Sequence, residues 1–410
     1  MSILYATTPY RPAPGGLTGW LASALFAAAP ALAAICRRVW PIPGRGKFRA
    51  VTRYDDVVEV FGDDGAFGVT YHDNLQVITG GEPFFLGMSD TPAYRAQLAA
   101  ARTVVLAADL PRLGDDAERR AAAIVAAAGG RLEVVEFIRR VAFDLYADYF
   151  GVPDPAPGRL TIWGSRLFEY QFTGSPSDTA WLADVTATAT ALRAHIDATI
   201  AARKTAPAGP DDVLGRCLAA QVAGQLGYAD AEIRTMLMCM IVGGPPQPAT
   251  VVPQGIEQLL RRPAWLTAAS TAARSGDDAR LYDILFEAMR FDPLAPGLKR
   301  TVLTDHVIAR GTARATKVPA GGTVIAAFAS AMMDPRRVPD PARFDPDRLP
   351  RDYLHFGHGL HECFGRQFNH ATLHRMIKPL LARGPVRAAG PQGSLRKNGM
   401  FADRLVVTFS

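Results

Sequence analysis

Phe356-Gly357-His358-Gly359-Leu360-His361-Glu362-Cys363-Phe364-Gly365-Arg366 is the stretch on which the reading of this chain turns. It reads as a glycine-rich loop that delivers a single cysteine to the start of a helix. Glycine lets the backbone turn tightly and approach closely where a bulkier residue would block it. Behind Cys363, the apolar positions Phe364, Phe368, Ala371, Leu373, Ile377, Leu380 and Leu381 recur at roughly helical spacing. A sulfur at a helix N-terminus meets unpaired N–H groups and the positive end of the dipole, which favour thiolate over thiol. A thiolate held in that way is a ligand for a soft metal centre, and a lone cysteine suits the iron of a haem.

Five of the eight histidines fall in the same region: His355, His358, His361, His370 and His374. His370 and His374 stand i,i+4 on the expected helix, a spacing that can chelate zinc. No CxxC or HExxH motif accompanies them, and the glycines have no role in a tetrahedral site. Surface histidines are therefore the expectation for all but His361.

The stretch resembles the haem-binding loop of the cytochrome P-450 (haem-thiolate) family, matching at Phe356, Gly357, Gly359, His361, Cys363 and Gly365. The resemblance extends over roughly residues 45–410. It implies a mainly α fold with a small β region, with haem b (iron protoporphyrin IX) between a long distal helix and the proximal cysteine-loop helix. Cys363 would ligate the iron and His361 would bond a propionate. Phe356 and Gly357 would lie beside the cofactor, Phe356 packing by the sulfur. The resemblance divides the chain into an N-terminal segment with the first helix, 1–44, and a single catalytic domain, 45–410.

Composition agrees with a large globular chain of 410 residues, 49% apolar and 20% charged, which excludes a disordered class. The net charge of +6 comes without a basic run, so nucleic acid is not an expected partner. A modest basic face could instead attract an acidic redox protein. Cys36, Cys217, Cys239 and Cys363 show no framework spacing, which points to a reducing, cytoplasmic compartment. Residues 17–36 carry no charge and precede Arg37-Arg38, a length that could span a bilayer. The segment is alanine-rich and Pro30 interrupts it, so it reads as the family's first helix, with peripheral membrane contact as the alternative.

Residues 47–51 read as a strand and 54–61 as a short helix. Residues 69–86 read as an irregular loop, with Tyr71, Phe84 and Phe85 as lining of a pocket. Ser89-Asp90-Thr91-Pro92 is a helix start, a capping residue followed by proline in the first turn. In the family this helix carries a histidine and an arginine that hold a propionate; here Tyr94 and Leu98 stand in their places. The Tyr94 hydroxyl can still donate one hydrogen bond, and Arg95 and Arg102 are candidates for the lost charge. Phe168, Tyr170, Phe172 and Trp181 flank Thr173-Gly174-Ser175-Pro176, which by resemblance would be a lid.

Residues 231–260 should form the distal helix, with Gly243 and Gly244 facing the substrate pocket. The family's acid and alcohol positions are occupied by Pro246 and Gln247. That pair assists proton delivery to bound dioxygen in the family, and neither proline nor an amide is an acid. Pro245, Pro246, Pro248 and Pro253 lack N–H groups, which strands the carbonyls of Ile241, Val242, Gly244 and Ala249. An interior proline costs about 3 kcal/mol, so the helix should break here. Gln247 could then bond a stranded carbonyl, and Thr250 could rejoin the site if the break shifts the register.

Glu287-Ala-Met-Arg290 matches the family's E-x-x-R, a buried ion pair with Arg348 as its third, structural member. Leu294 and Ala295 would narrow the pocket, Arg300 would grip a propionate with Lys299 as the competing choice, and Asn398-Gly399 reads as a hairpin turn. Met400 and Phe401 would lie at the pocket's edge. The expected activity is that of a haem-thiolate monooxygenase on a small, largely apolar organic substrate. Electrons would come from a separate ferredoxin or flavodoxin with its reductase. A haem-thiolate enzyme that uses peroxide, or acts as an isomerase or dehydratase, is the alternative. A non-catalytic haem or ligand-binding protein is the third.

Overall fold

The computed structural model describes residues 9–12, 16–206 and 209–410. The chain divides into two compact units, each threaded by several stretches of sequence. One contains 71–120 and 136–249, and the other contains 13–70, 121–135 and 250–410.

The first unit is helical. Thr91 caps Pro92–Val104 by accepting the Tyr94 N–H at 3.1 Å, with Pro92 in the first turn as the sequence predicts. Arg159–Thr173 and Thr179–Thr205 pack against each other and against Asp230–Gly243. That last helix is buried on almost every side, from Ile233 through Val242, which is why its sequence lacks a polar face. Residues 69–86 are not irregular: His72–Thr79 is a helix and Phe85–Gly87 a 3-10 turn. Leu75 and Ile78 bury one side of the helix, and Gly80 ends it at φ +74°. The Asn74 amide donates to the carbonyls of Tyr170, Gln171 and Gly174 at 3.0, 3.3 and 3.2 Å. It thereby ties this helix to the Arg159–Thr173 C-terminus.

The second unit carries the β structure. Its four-stranded sheet runs in the order Phe48–Val51, Thr323–Ala326, Leu298–Val302, Phe67–Val69, the first pair parallel and the others antiparallel. Alternation on Leu298–Val302 turns Arg300 inward and leaves Lys299 exposed. Val51, Val57, Phe61, Phe67, Val302 and Val324 form the core beside this sheet. The Asn398-Gly399 hairpin is present, with Gly399 at φ +61° between the paired Asn398 and Phe401. The first helix runs Gly16–Val39, and Arg37 fixes its end by donating to the Ser330 carbonyl and hydroxyl at 2.9 and 2.7 Å. No described helix is long and apolar enough to cross a membrane.

Glu287, Arg290 and Arg348 meet as expected. Arg290 Nε and Nη2 donate to the two Glu287 oxygens at 2.8 and 2.7 Å, and Arg348 Nε reaches Oε1 at 3.3 Å. The Asp345 N–H and Tyr353 hydroxyl complete the carboxylate at 2.9 and 3.1 Å. Glu287 is 0% exposed and Arg290 1%. Removing the carboxylate leaves two buried guanidinium groups facing each other. Glu287→Ala should cost about 3–5 kcal/mol by urea unfolding. Asp347→Asn, which breaks the exposed pair with Arg280 at 2.6 Å, should cost less than about 1 kcal/mol.

Candidate functional site

The cysteine loop is built from backbone hydrogen bonds. The Gly357 N–H donates to Leu354 at 3.1 Å, Glu362 to Gly359 at 3.0 Å, Cys363 to Phe356 at 2.9 Å and Arg366 to Cys363 at 3.1 Å. Gly357 and Gly359 sit at φ +76° and +75°. A methyl group on Gly359 would lie 2.6 Å from the Phe61 carbonyl oxygen, so this corner of the loop can press against the Tyr54–Gly62 helix only as glycine. The helix Arg366–Ala382 starts three residues beyond the sulfur, and the Gly365 N–H faces it. That donor is outweighed. Burial pushes the Cys363 thiol up to about 11, Gly365 opposes it, and the Glu362 charge adds to it. The expected helix-terminal thiolate is thus corrected: with no metal the sulfur keeps its proton.

Arg300 and His361 converge within the same unit. Arg300 is 3% exposed, with its guanidinium 4.9 Å above the Phe61 ring and Nη1 donating to the Lys299 carbonyl at 3.1 Å. His361 is pushed down to about 4, by burial first and by the nearby Arg300 charge second. A guanidinium cation and a neutral imidazole so placed suit a partner with carboxylates, and a soft sulfur beside them suits iron. The residues fit haem b: Cys363 would hold the metal, and His361 and Arg300 the propionates. Gly357 leaves open space on its Cβ side, with nothing nearer than the His361 carbonyl at 3.9 Å. The Phe356 ring packs on Phe286 and His370, at 6.2 and 5.1 Å between centroids.

The other histidines are not the surface residues expected, except His358. His355 Nε2 bonds the Phe286 carbonyl at 3.0 Å, and His374 is 8% exposed. His370 meets the Tyr282 hydroxyl through Nδ1 and Arg366 through Nε2, so neither nitrogen is presented to a metal. Burial is the leading cause that holds His355 and His370 near 4. Nothing in local sequence distinguishes these buried rings from exposed ones.

The distal segment lies largely in the first unit. It is two helices, Asp230–Gly243 and Pro248–Leu260, instead of one. Pro245 and Pro246 occupy the interruption, Pro248 opens the second helix, and Pro253 is accommodated inside it. The Gln247 side-chain amide donates to the Gly243 carbonyl, the group its backbone N–H would serve in an unbroken helix. Gly243 looks onto open space, but a methyl group on Gly244 would lie 2.0 Å from the Tyr146 ring. Gly244 is thus packed, not pocket-lining, on that side. Opposite, Gly164 leaves room for the stranded Ile241 carbonyl, which a methyl group would approach to 3.1 Å. Tyr146 and Gly164 were not legible in sequence, because their role comes from the helix they meet. Thr250 is 1% exposed, and its hydroxyl has no hydrogen-bond partner among the described residues.

Tyr94 is 3% exposed and meets the Phe85 ring edge-on at 6.1 Å. Arg95 is a surface residue, bonded to Asp90 at 2.8 and 2.6 Å, and Arg102 is exposed, so neither replaces the lost internal charge. Phe84 and Phe85 are 4% and 1% exposed, and Tyr71 donates to the Leu86 carbonyl at 2.9 Å. Ala295 and Phe401 are buried, and Leu294 is partly so.

Comparison with known proteins agrees with this geometry. The family model described as "Cytochrome P450" matches residues 281–383. The chain is 27% identical over 342 residues to the erythromycin C-12 hydroxylase of Saccharopolyspora erythraea, covering 81% of each chain. It is 26% identical to the mycinamicin IV hydroxylase/epoxidase of Micromonospora griseorubida, covering 84% of each. The ligand-free structure of cytochrome P450 TbtJ1 superposes with a TM-score of 0.77 at 25% identity, over 94% of this chain and 98% of the other.

His355, His361 and His370 are each held near 4, against about 6.5 when unfolded. The folded state therefore binds fewer protons than the unfolded one over this range. Their contribution is present in full above about pH 6.5 and is lost as pH falls towards 4. Thermal unfolding of the cofactor-depleted chain should show its midpoint falling through that window; a midpoint flat from pH 7 to 4.5 would contradict the buried, neutral assignment.

Proposed function

Since the chain belongs to the cytochrome P450 family and is a haem-thiolate oxidoreductase with haem b as cofactor, we propose that it is a monooxygenase of a small, largely apolar organic substrate. Its electrons come from a separate ferredoxin or flavodoxin with its reductase, in the cytoplasm. The observation that carries the reading is the Cys363 loop, with the Gly365 N–H on the sulfur and Arg300 beside His361. The four cysteines are free, which supports a reducing compartment. The relatives named above carry hydroxylation and epoxidation in their names. Because those names refer to macrolides, macrolides join small apolar compounds in the substrate screen.

When bound, the haem supplies the oxygen chemistry, and the protein supplies position, protons and exclusion of water. Cys363 would hold the metal, with the Gly365 N–H on its sulfur. His361 and Arg300 would anchor the carboxylate edge. Leu294, Ala295 and Phe401 would keep the substrate side apolar. Pro246 has no proton to give, and Gln247 is committed to bracing the Gly243 carbonyl. Thr250 is the proton donor in this reading, since its buried hydroxyl has no hydrogen-bond partner among the described residues. Gln247 is a positioning residue that keeps the interruption in its observed form.

A second reading has one specific observation in its favour. Pro246 and Gln247 replace an acid and an alcohol, which suits a substrate that brings its own protons, such as a peroxide, or a non-redox isomerase or dehydratase reaction. Product formation should be measured with reductase and oxygen, with peroxide alone, and with neither. Thr250→Val should lower oxygen-driven turnover by about a hundredfold, the lower end of what a positioned proton donor contributes. It should leave peroxide-driven turnover unchanged. Product with peroxide alone, together with an inert Thr250→Val, would contradict the monooxygenase reading and favour the second.

A further inference from the structure

Residues 9–12 belong to the first unit, and Arg11 touches helices that lie 158 and 167 positions further along the chain. The Arg11 backbone N–H donates to Glu169 Oε2 at 2.8 Å, and its Nη1 donates to Asp178 Oδ2 at 2.9 Å. The same guanidinium lies 4.3 Å from the centre of the Trp181 ring, close enough for a cation–π attraction. Tyr10, next to it in the chain, is buried. Glu169 stands near the end of Arg159–Thr173, whereas Asp178 caps Thr179–Thr205 and Trp181 lies in its first turn. One arginine therefore spans both arms of a helical hairpin, across its turn.

The turn itself, Gly174-Ser175-Pro176-Ser177, offers little to bury, and Ser175, Pro176 and Ser177 are exposed. Polar groups from distant segments hold this end: Asn74 bonds the Tyr170, Gln171 and Gly174 carbonyls, and Arg11 grips Asp178. Asp178 accepts the Trp181 N–H at 3.0 Å through Oδ1, so Arg11 binds the cap residue of the second arm by its other oxygen. Burial lifts the Glu169 carboxyl to about 7, and the Arg11 N–H is the largest influence against that lift. The strap thus supplies a donor to a carboxyl that the first arm buries. Both arms pack on Asp230–Gly243, the helix that ends at the proline interruption, and Gly164 of the first arm faces the Ile241 carbonyl there. The hairpin is the cover of that helix, and Arg11 fastens the cover.

We propose that Tyr10-Arg11 is a clasp that holds this hairpin down on the distal segment and sets how fast a small molecule reaches it. The contacts are of a strength suited to release. Arg11 and Asp178 are 37% and 36% exposed, so their ion pair is worth little in water, and the stack on Trp181 adds a comparable amount. When Arg11 lets go, Asp178 keeps its cap and loses its tether, and the turn end is left with the Asn74 bonds. The claim about entry rests on the haem-thiolate reading, because its probe is a haem ligand. The clasp itself rests on contacts within the first unit alone.

Two variants separate the clasp from general damage. Arg11→Met removes the charge and keeps an apolar chain beside Trp181. Asp178→Asn keeps a good cap and removes the other charge. Backbone hydrogen exchange of the full chain, read by mass spectrometry, should show residues 166–182 exchanging about fivefold faster in either variant, with Arg366–Ala382 unchanged. The double variant should exchange no faster than Arg11→Met. Exchange at 166–182 equal to wild type in both variants would overturn the proposal, as would additive effects, because Arg11 and Asp178 would then act separately. In a second arm, 4-phenylimidazole is mixed with the haem-loaded protein and its ligation is followed by the Soret shift. Association should quicken by the same factor in both variants. Faster exchange with unchanged association also overturns the proposal, since the hairpin then moves without governing entry. A wild type that shows no Soret shift counts against the haem-thiolate reading, and hydrogen exchange still decides the clasp.

Discussion

A sulfur that cannot ionise unaided is the constraint around which the second unit is built. Burial lifts the Cys363 thiol to about 11 even though the Gly365 N–H points at it. A bound metal reverses that balance outright, since a coordinating thiol gives up its proton. The loop therefore does not present a general-purpose nucleophile. It would present a ligand whose charge exists only with a bound metal. Cys217 is also buried and is pushed up to about 12. It differs in its surroundings, where an Asp212 charge adds to the effect of burial. What distinguishes Cys363 is its neighbours, and those neighbours are held by glycine positions such as Gly359 that admit no side chain.

The same economy governs the interrupted distal helix. Consecutive prolines remove the N–H groups that Ile241 and Val242 need, and the fold answers with specific shapes. Gly164 makes room for one carbonyl, Tyr146 presses on Gly244, and Gln247 bonds Gly243. A side chain engaged in repairing the backbone is a poor candidate for proton chemistry. Thr250 differs, since its hydroxyl is buried and without a hydrogen-bond partner among the described residues.

How much of this could be read from the sequence depends on how local each feature is. The cysteine loop, the Thr91 cap and the helix break are decided by residues within a few positions of one another, and all were legible. Glu287, Arg290 and Arg348 were legible through the family resemblance alone, since charged i,i+3 pairs are common on helix surfaces. The helix His72–Thr79 was missed, since its order comes from Asn74 clamping carbonyls a hundred residues away. The buried histidines were misread as surface ones for a related reason: an imidazole has no sequence mark of burial. Arg95 shows the converse, a charge that looked available and is spent on Asp90 at the surface.

The most direct test of the account is the carbon monoxide difference spectrum of the reduced, purified protein, recorded for wild type and Cys363→Ser. Wild type should show the strongly red-shifted Soret band of a sulfur-ligated haem, and the serine variant should lose it while still binding carbon monoxide. A wild-type band at the position given by an imidazole-ligated haem, or a red-shifted band that survives in Cys363→Ser, would contradict the assignment of the sulfur.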